Sequence, residues 1–372
     1  MKITIDRGLL LKALTHVQSV VERRNTIPIL SNVRFDAPNG QLSLNATDMD
    51  IDIVETVEAD VASAGSTTVP AHTMFDIVRK LPEGAQIELD ASGDDGHLTL
   101  TSGRSRFSLT CLPPEDFPVM ASGELPHSFS VAAEDLRSMV DRTRFAISTE
   151  ETRYYLNGIY LHESERDGVA VLRAVATDGH RLASVELPLP EGASGMPGVI
   201  VPRKTVLELR KLIDEIDGDV SVALSDTKIR FTFDGAVVTS KLIDGTFPDY
   251  DRVIPTGNDK SMEVGCKVFA EAVDRVSAIS SEKSRAVKLN ISKGNLVLSA
   301  NSPENDSATE EVPVEYDAGD MEIGFNSRYL LDITQQIHGD SARFSMADAA
   351  SPTLVQDTGD TSALYVLMPM RV

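Results

Sequence analysis

Apolar residues return at three- and four-residue intervals in three stretches, 7–21, 133–145 and 268–279, as in Leu10, Leu14, Val17 and Val21. That spacing places them on one face of an α-helix. Asp6 and the pair Glu134-Asp135 stand where a cap or first-turn acid belongs. Second helices are expected after Val69-Pro70-Ala71, Val201-Pro202-Arg203 and Phe325-Asn326-Ser327. Pro70 and Pro202 fall at the helix starts, where a missing N–H leaves no bond unmade. Elsewhere the period drops to two, as in Arg106-Phe107-Ser108-Leu109-Thr110 and Val237-Val238-Thr239-Ser240, which predicts strands.

The same order of elements recurs at a spacing of about 125 to 133 residues. Matching words mark it. Ala46-Thr47-Asp48 returns as Ala176-Thr177-Asp178 and, diverged, as Ala300-Asn301-Ser302; Phe117-Pro118 returns as Phe247-Pro248. The expectation is an α+β chain of three copies of one unit, each with two helices on antiparallel strands. Proline-containing links at Leu125-Pro126 and Ile254-Pro255 divide it into domains 1–126, 127–255 and 256–372.

Length agrees, since 372 residues exceed one ordinary core. No apolar run is long enough to cross a bilayer and the start has no signal-peptide core, so a cytoplasmic protein without a membrane partner is expected. Cys111 and Cys266 stand far apart and read as free thiols.

Charge changes the picture. The net charge of −22 argues against nucleic-acid binding by the whole surface. The helical windows 7–24, 72–81, 134–144, 203–213, 267–285 and 326–337 nevertheless carry +8 together, leaving −30 elsewhere. If the helices share a face, that face attracts duplex DNA through its phosphates. Arg24, Arg79, Arg203, Lys204, Arg210 and Lys211 are the candidates for that contact. No zinc-finger spacing, basic zipper or aromatic RNA-binding motif is present, so binding would be sequence-independent.

Enzyme chemistry finds little support. The seven histidines are scattered, and His180, with an acid, Asp178, two residues away, has no nucleophile motif nearby. No phosphate-binding loop, nucleophile elbow or zinc-protease motif occurs, so no catalytic residue, metal or cofactor is expected.

Several long motifs in order carry a family resemblance over essentially the whole chain. They are Ile27-Pro28-Ile29-Leu30, Ser102-Gly103-Arg104-Ser105-Arg106-Phe107, Arg153-Tyr154-Tyr155-Leu156-Asn157-Gly158, Ala176-Thr177-Asp178-Gly179-His180-Arg181-Leu182, Lys241-Leu242-Ile243-Asp244-Gly245-Thr246-Phe247-Pro248-Asp249-Tyr250 and Met368-Pro369-Met370-Arg371. In these the chain resembles the bacterial sliding clamp, the beta subunit of DNA polymerase III. The resemblance implies a homodimeric head-to-tail ring of six units, helices inside, encircling duplex DNA. It places one side of the joint at Phe107 and Leu109 and the other at Ala278 and Ile279, and brings the Tyr154-Tyr155 loop to DNA. It further implies a pocket for short linear motifs of the polymerase III alpha subunit, the clamp loader, other DNA polymerases and repair proteins. Its residues are Thr177, Gly179, His180, Arg181, Leu182, Pro248, Arg252, Val253, Pro352, Val366, Met368, Pro369, Met370 and Arg371. Leu182, Val253, Val366, Met368 and Met370 would form an apolar slot, and His180, Arg181, Arg252 and Arg371 would hold the peptide's polar groups. The competing reading is a multi-partner peptide-binding scaffold that never surrounds DNA. The basic helices argue against it.

Overall fold

Residues with helical spacing form helices α1 (Arg7–Val17), α2 (Ala71–Lys80), α3 (Ala133–Arg144), α4 (Arg203–Ile213), α5 (Cys266–Ser277) and α6 (Ser327–Thr334) in a computed structural model. It describes the whole chain except residues 94–95, 121–122, 281–284, 305 and 372; part of the basic window 267–285 therefore lies outside the described residues. Asp6 caps α1, its carboxylate accepting from the N–H groups of Gly8 and Leu9 at 2.7 and 3.3 Å. α1 stops at Val17, short of the expected 21, but Val20 and Val21 stay buried in the turn that follows. Leu10, Leu14 and Val17 are fully buried, worth about 1.5–3 kcal/mol each.

The chain divides into two compact units. The first comprises 1–137, 190–197 and 204–242, the second 138–189, 198–203 and 243–372, so residues of the middle repeat belong to both.

In the first unit a five-stranded antiparallel sheet runs in the order 60–63, 2–6, 86–90, 97–102, 105–110. A second antiparallel sheet, of eight strands, runs 127–132, 219–224, 228–232, 236–241, 51–58, 41–47, 32–37, 65–70. Its centre is the pairing of Ala236–Lys241 with Ile51–Glu58, which joins strands from two repeats. The second unit repeats the device. Its eight-stranded sheet runs 199–202, 158–166, 169–177, 181–188, 363–367, 353–357, 341–346, 260–265, and Arg181–Pro188 pairs with Ala363–Leu367 across the repeat boundary. A four-stranded sheet of 307–313, 295–301, 286–292 and 321–326 completes that unit. Alternating burial, as at Leu42, Leu44 and Ala46, turns one face of each strand to the helices: α1 and α2 in the first unit, α5 and α6 in the second.

Candidate functional site

The second unit gathers the residues expected to form a peptide pocket around one hairpin. Thr177 pairs with Leu182 across it. Thr177 Oγ1 donates to the Arg181 carbonyl at 2.7 Å, and Asp178 Oδ1 accepts from the N–H groups of His180 and Arg181 at 2.9 and 3.0 Å. The Asp178 carboxylate is thus spent on the turn and on Arg181, which leaves no carboxylate–imidazole pair with His180. Gly179 has φ +87° and lies against Arg153, whose Nη1 would stand 2.5 Å from an added Cβ. Both features call for glycine.

Beyond the turn, Leu182 and Val366 are buried in a cluster with Leu156, Val175, Ile200, Phe247 and Tyr250. Tyr155, Leu354 and Leu364 pack against it. Tyr250 is oriented by polar groups: its hydroxyl accepts from Arg173 at 3.0 Å and donates to His162 Nε2 at 2.8 Å. Burial, with help from the Arg173 charge, holds the His162 pKa below its ordinary value, in keeping with a neutral ring that accepts there. Phe247 stacks on Tyr160 with centroids 4.9 Å apart. At the rim Val253 and Met368 stay exposed, at 47% and 41%, with His180, Pro248, Arg252 and Arg371; Pro352, Pro369 and Met370 are half-buried. This is an apolar floor with a partly charged rim.

Two expectations change. Arg181 does not reach toward a ligand: it is buried, bonds the carboxylates of Asp178 and Asp332 and the Phe145 carbonyl, and stacks on Tyr329 at 4.3 Å. Its apolar environment demands that its charge be matched internally. Arg252 reaches solvent but pairs with Asp249 at 2.6 Å. The last strand, Ala363–Leu367, is interior to its sheet; the Met-Pro-Met run after it leaves the ladder, its Met368 N–H donating to His180 O and its Met370 N–H to Gly324 O on an edge strand, both at 2.9 Å. Sequence reasoning missed Tyr155, Val175, Phe247, Tyr250 and Leu364 as parts of this floor. Phe247 and Tyr250 lay within a quoted motif, but a motif does not say which side chains meet.

The basic candidates divide. Arg24 and Arg203 are exposed, and Arg79 is exposed while paired with Asp76 at 2.9 Å. Lys204 is not free for phosphate: its ammonium bonds Asp48 at 2.6 Å, Glu22 at 2.7 Å and the Val20 carbonyl at 3.1 Å, all in the first unit. Arg210 pairs with Asp214, and Lys211 with Glu208 while staying 57% exposed. Tyr154 is exposed, whereas Tyr155 packs into the apolar floor.

Of the joint candidates, Phe107 is half-buried and Leu109 buried on Ser105–Thr110, an edge strand of the five-stranded sheet; Ala278 is exposed and Ile279 half-buried just past α5. Neither Cys111 nor Cys266 forms a disulfide among the described residues. Among the described residues no cluster of three metal-ligating side chains occurs, and no helix is long and apolar enough to cross a membrane.

Comparison with known proteins decides the family. Three family models match in order: the N-terminal domain of the DNA polymerase III beta subunit over 1–121, its central domain over 130–249 and its C-terminal domain over 251–371. The chain belongs to the DNA polymerase III beta subunit family. It is 55% identical to the beta sliding clamp of Caulobacter vibrioides over 372 residues and 40% identical to that of Escherichia coli K12 over 373, each covering all of both chains. Solved clamps superpose on it throughout. One from Bartonella birtlesii, bound to griselimycin, matches with TM-score 0.97 and 52% identity over all of both chains. One from Caulobacter crescentus, with polyethylene glycol bound to a putative beta-motif tethering region, matches with TM-score 0.98 and 55% identity over 100% of this chain and 99% of that one. As a beta subunit the chain has the DNA-clamp fold and acts as a sliding clamp in DNA replication, a processivity factor and not an enzyme.

Proposed function

We propose that the floor of Leu182, Val366, Leu354 and Tyr250 receives the apolar anchor of partner peptides. His180, Arg371 and the exposed end of Arg252 meet their polar groups. As a beta clamp the chain works as a homodimer that encircles duplex DNA and tethers replication and repair proteins, among them the polymerase III alpha subunit and the clamp loader, through short motifs. The observation that supports the pocket assignment is the exposure of Val253 and Met368 directly beside this buried floor, an apolar opening that water covers poorly.

For DNA, Arg24, Arg203, Arg79 and Lys211 suit phosphate contact, each being exposed, and Tyr154 can stack on an unpaired base. For the joint, Ser105–Thr110 and Ser307–Pro313 are both edge strands, one flanked by exposed Arg104 and Arg106, the other carrying exposed Glu311. Pairing these edges between protomers would bury unpaired backbone groups and match opposite charges. The three repeats, near 1–126, 127–255 and 256–372, supply six units per ring. A cytoplasmic location follows from work on bacterial DNA.

The test is topological. Protein placed on nicked circular DNA by a clamp loader should survive a high-salt wash, then leave once the circle is cut. Loss in salt from intact circles would support the scaffold that merely touches DNA.

A further inference from the structure

The register of the two eight-stranded sheets shows that the floor of the peptide pocket has a counterpart in the first unit. Thr47 pairs with Asp52 and Asp52 with Thr239, as Thr177 pairs with Leu182 and Leu182 with Val366. One strand further, Arg230 faces Thr239 as Leu354 faces Val366; one step back, Asn45 stands where Val175 stands. Four apolar floor positions thus recur as Asp52, Thr239, Arg230 and Asn45. They line a cavity of about 280 Å³, walled also by Val54, Val237 and the link residues Val119, Met120 and Leu125.

Among the described residues this cavity leaves hydrogen-bonding groups without partners. Asp52 is 8% exposed, a carboxylate where the second unit has leucine. The Asn45 Oδ1 atom is buried and accepts no hydrogen bond among the described residues. The Arg230 guanidinium makes one hydrogen bond among the described residues, Nε to Thr239 Oγ1 at 3.2 Å. A buried acceptor without a donor is costly to leave so, and Arg230, whose charge acts on Asp52 but makes no direct ion pair with it among the described residues, has room for a further anion. An apolar peptide anchor would seal all three from water, so it is rejected.

We propose that the first unit carries a second ligand site, centred on Asn45, Asp52 and Arg230, that takes an extended peptide segment bearing an acidic side chain. The segment's carboxylate meets Arg230 and its backbone N–H groups donate to Asn45 and Asp52, so one ligand supplies both missing partners. The cavity and its unmet polar atoms are independent of the pocket in the second unit; only the extended form of the occupant rests on that reading.

Proton linkage sharpens the site. Burial pushes Asp52 up to about 6, against the hydrogen bond from Asn45 and the charge of Arg230. The groups facing it are Asn45, Thr239, Arg230 and Lys228, with apolar Val119, Met120 and Leu125 from the link. A second carboxylate arriving beside it favours the protonated acid, so affinity rises as pH falls from about 7.5 to 5.5.

The test uses the full chain with labelled Val and Leu methyl groups, titrated with a blocked hexapeptide of alternating glycine and glutamate. Glycine–leucine and glycine–lysine versions serve as controls. The glutamate peptide should shift the Val54, Val237 and Leu125 methyls saturably, about tenfold more tightly at the lower pH. Arg230→Gln should remove those shifts, and Asp52→Asn should keep binding while removing its pH dependence. No saturable shift there, an equal response to the lysine or leucine peptide, or a pH dependence that survives Asp52→Asn would overturn the proposal. The leucine peptide acting on the Leu182 and Val366 methyls reports separately on the pocket of the second unit, so the two readings can fail independently.

Discussion

Two hairpins, 47–52 and 177–182, share a backbone and differ in almost everything that backbone presents. In both, a threonine hydroxyl donates to the carbonyl four residues on, at 2.8 and 2.7 Å. An aspartate carboxylate caps the next two N–H groups in each, and the following residue has positive φ, +78° at Met49 and +87° at Gly179. Yet fully buried Ile51 occupies the position of Arg181, and Asp52 that of Leu182. Polarity has been exchanged between adjacent positions. In the second unit the charge is locked beneath the turn and the pocket floor is apolar; in the first the core beneath the turn is apolar and the floor is polar. The repeat preserves the turn while its side chains change what the floor presents.

Substitution can break this contrast. The largest effect is expected at Arg181→Met, which strands the Asp178 and Asp332 carboxylates and removes the stacking on Tyr329; the loss is about 3–5 kcal/mol by urea denaturation. A change under 1 kcal/mol would mean that the buried cation contributes little.

Next comes Asp52→Asn. An acid whose folded pKa lies near 6 and whose ordinary value is 3.8 binds protons more readily folded than unfolded. Its penalty is absent below about pH 4, grows between the two values and is complete above 6. Asparagine should therefore raise stability by up to about 3 kcal/mol at pH 7.5 and by almost nothing at pH 4, read as melting temperature against pH. A gain of equal size at both pH values would exclude titration of Asp52 as its source.

The smallest effects concern the turns. Met49→Gly should stabilise by about 1 kcal/mol or less, because a side chain at positive φ is strained. Gly179→Met should destabilise by more than that, since its Cβ must also displace the Arg153 guanidinium. Equal and opposite changes would show that the Arg153 contact is immaterial.

Much of this was legible in the sequence. Helical spacing placed three helices and landmark words the other three, the words Ala-Thr-Asp and Phe-Pro placed the repeat, and the motif order carried the family. The residues misjudged were charged ones. Arg181 and Lys204 looked like ligand-binding cations, but the structure spends them on Asp332, Asp48 and Glu22, far away in the chain. Nothing local records that pairing.

Sequence alone determined the secondary elements and the turns, since each depends on residues within a few positions of one another, and the threefold repetition, since matching words recur along the chain. Tertiary structure decided which strands of different repeats lie side by side, and so which side chains share a floor. The pairing of Leu182 with Val366, and of Asp52 with Thr239, joins residues 184 and 187 positions apart. Such a register is set by packing across the sheet and leaves no periodic trace along the chain.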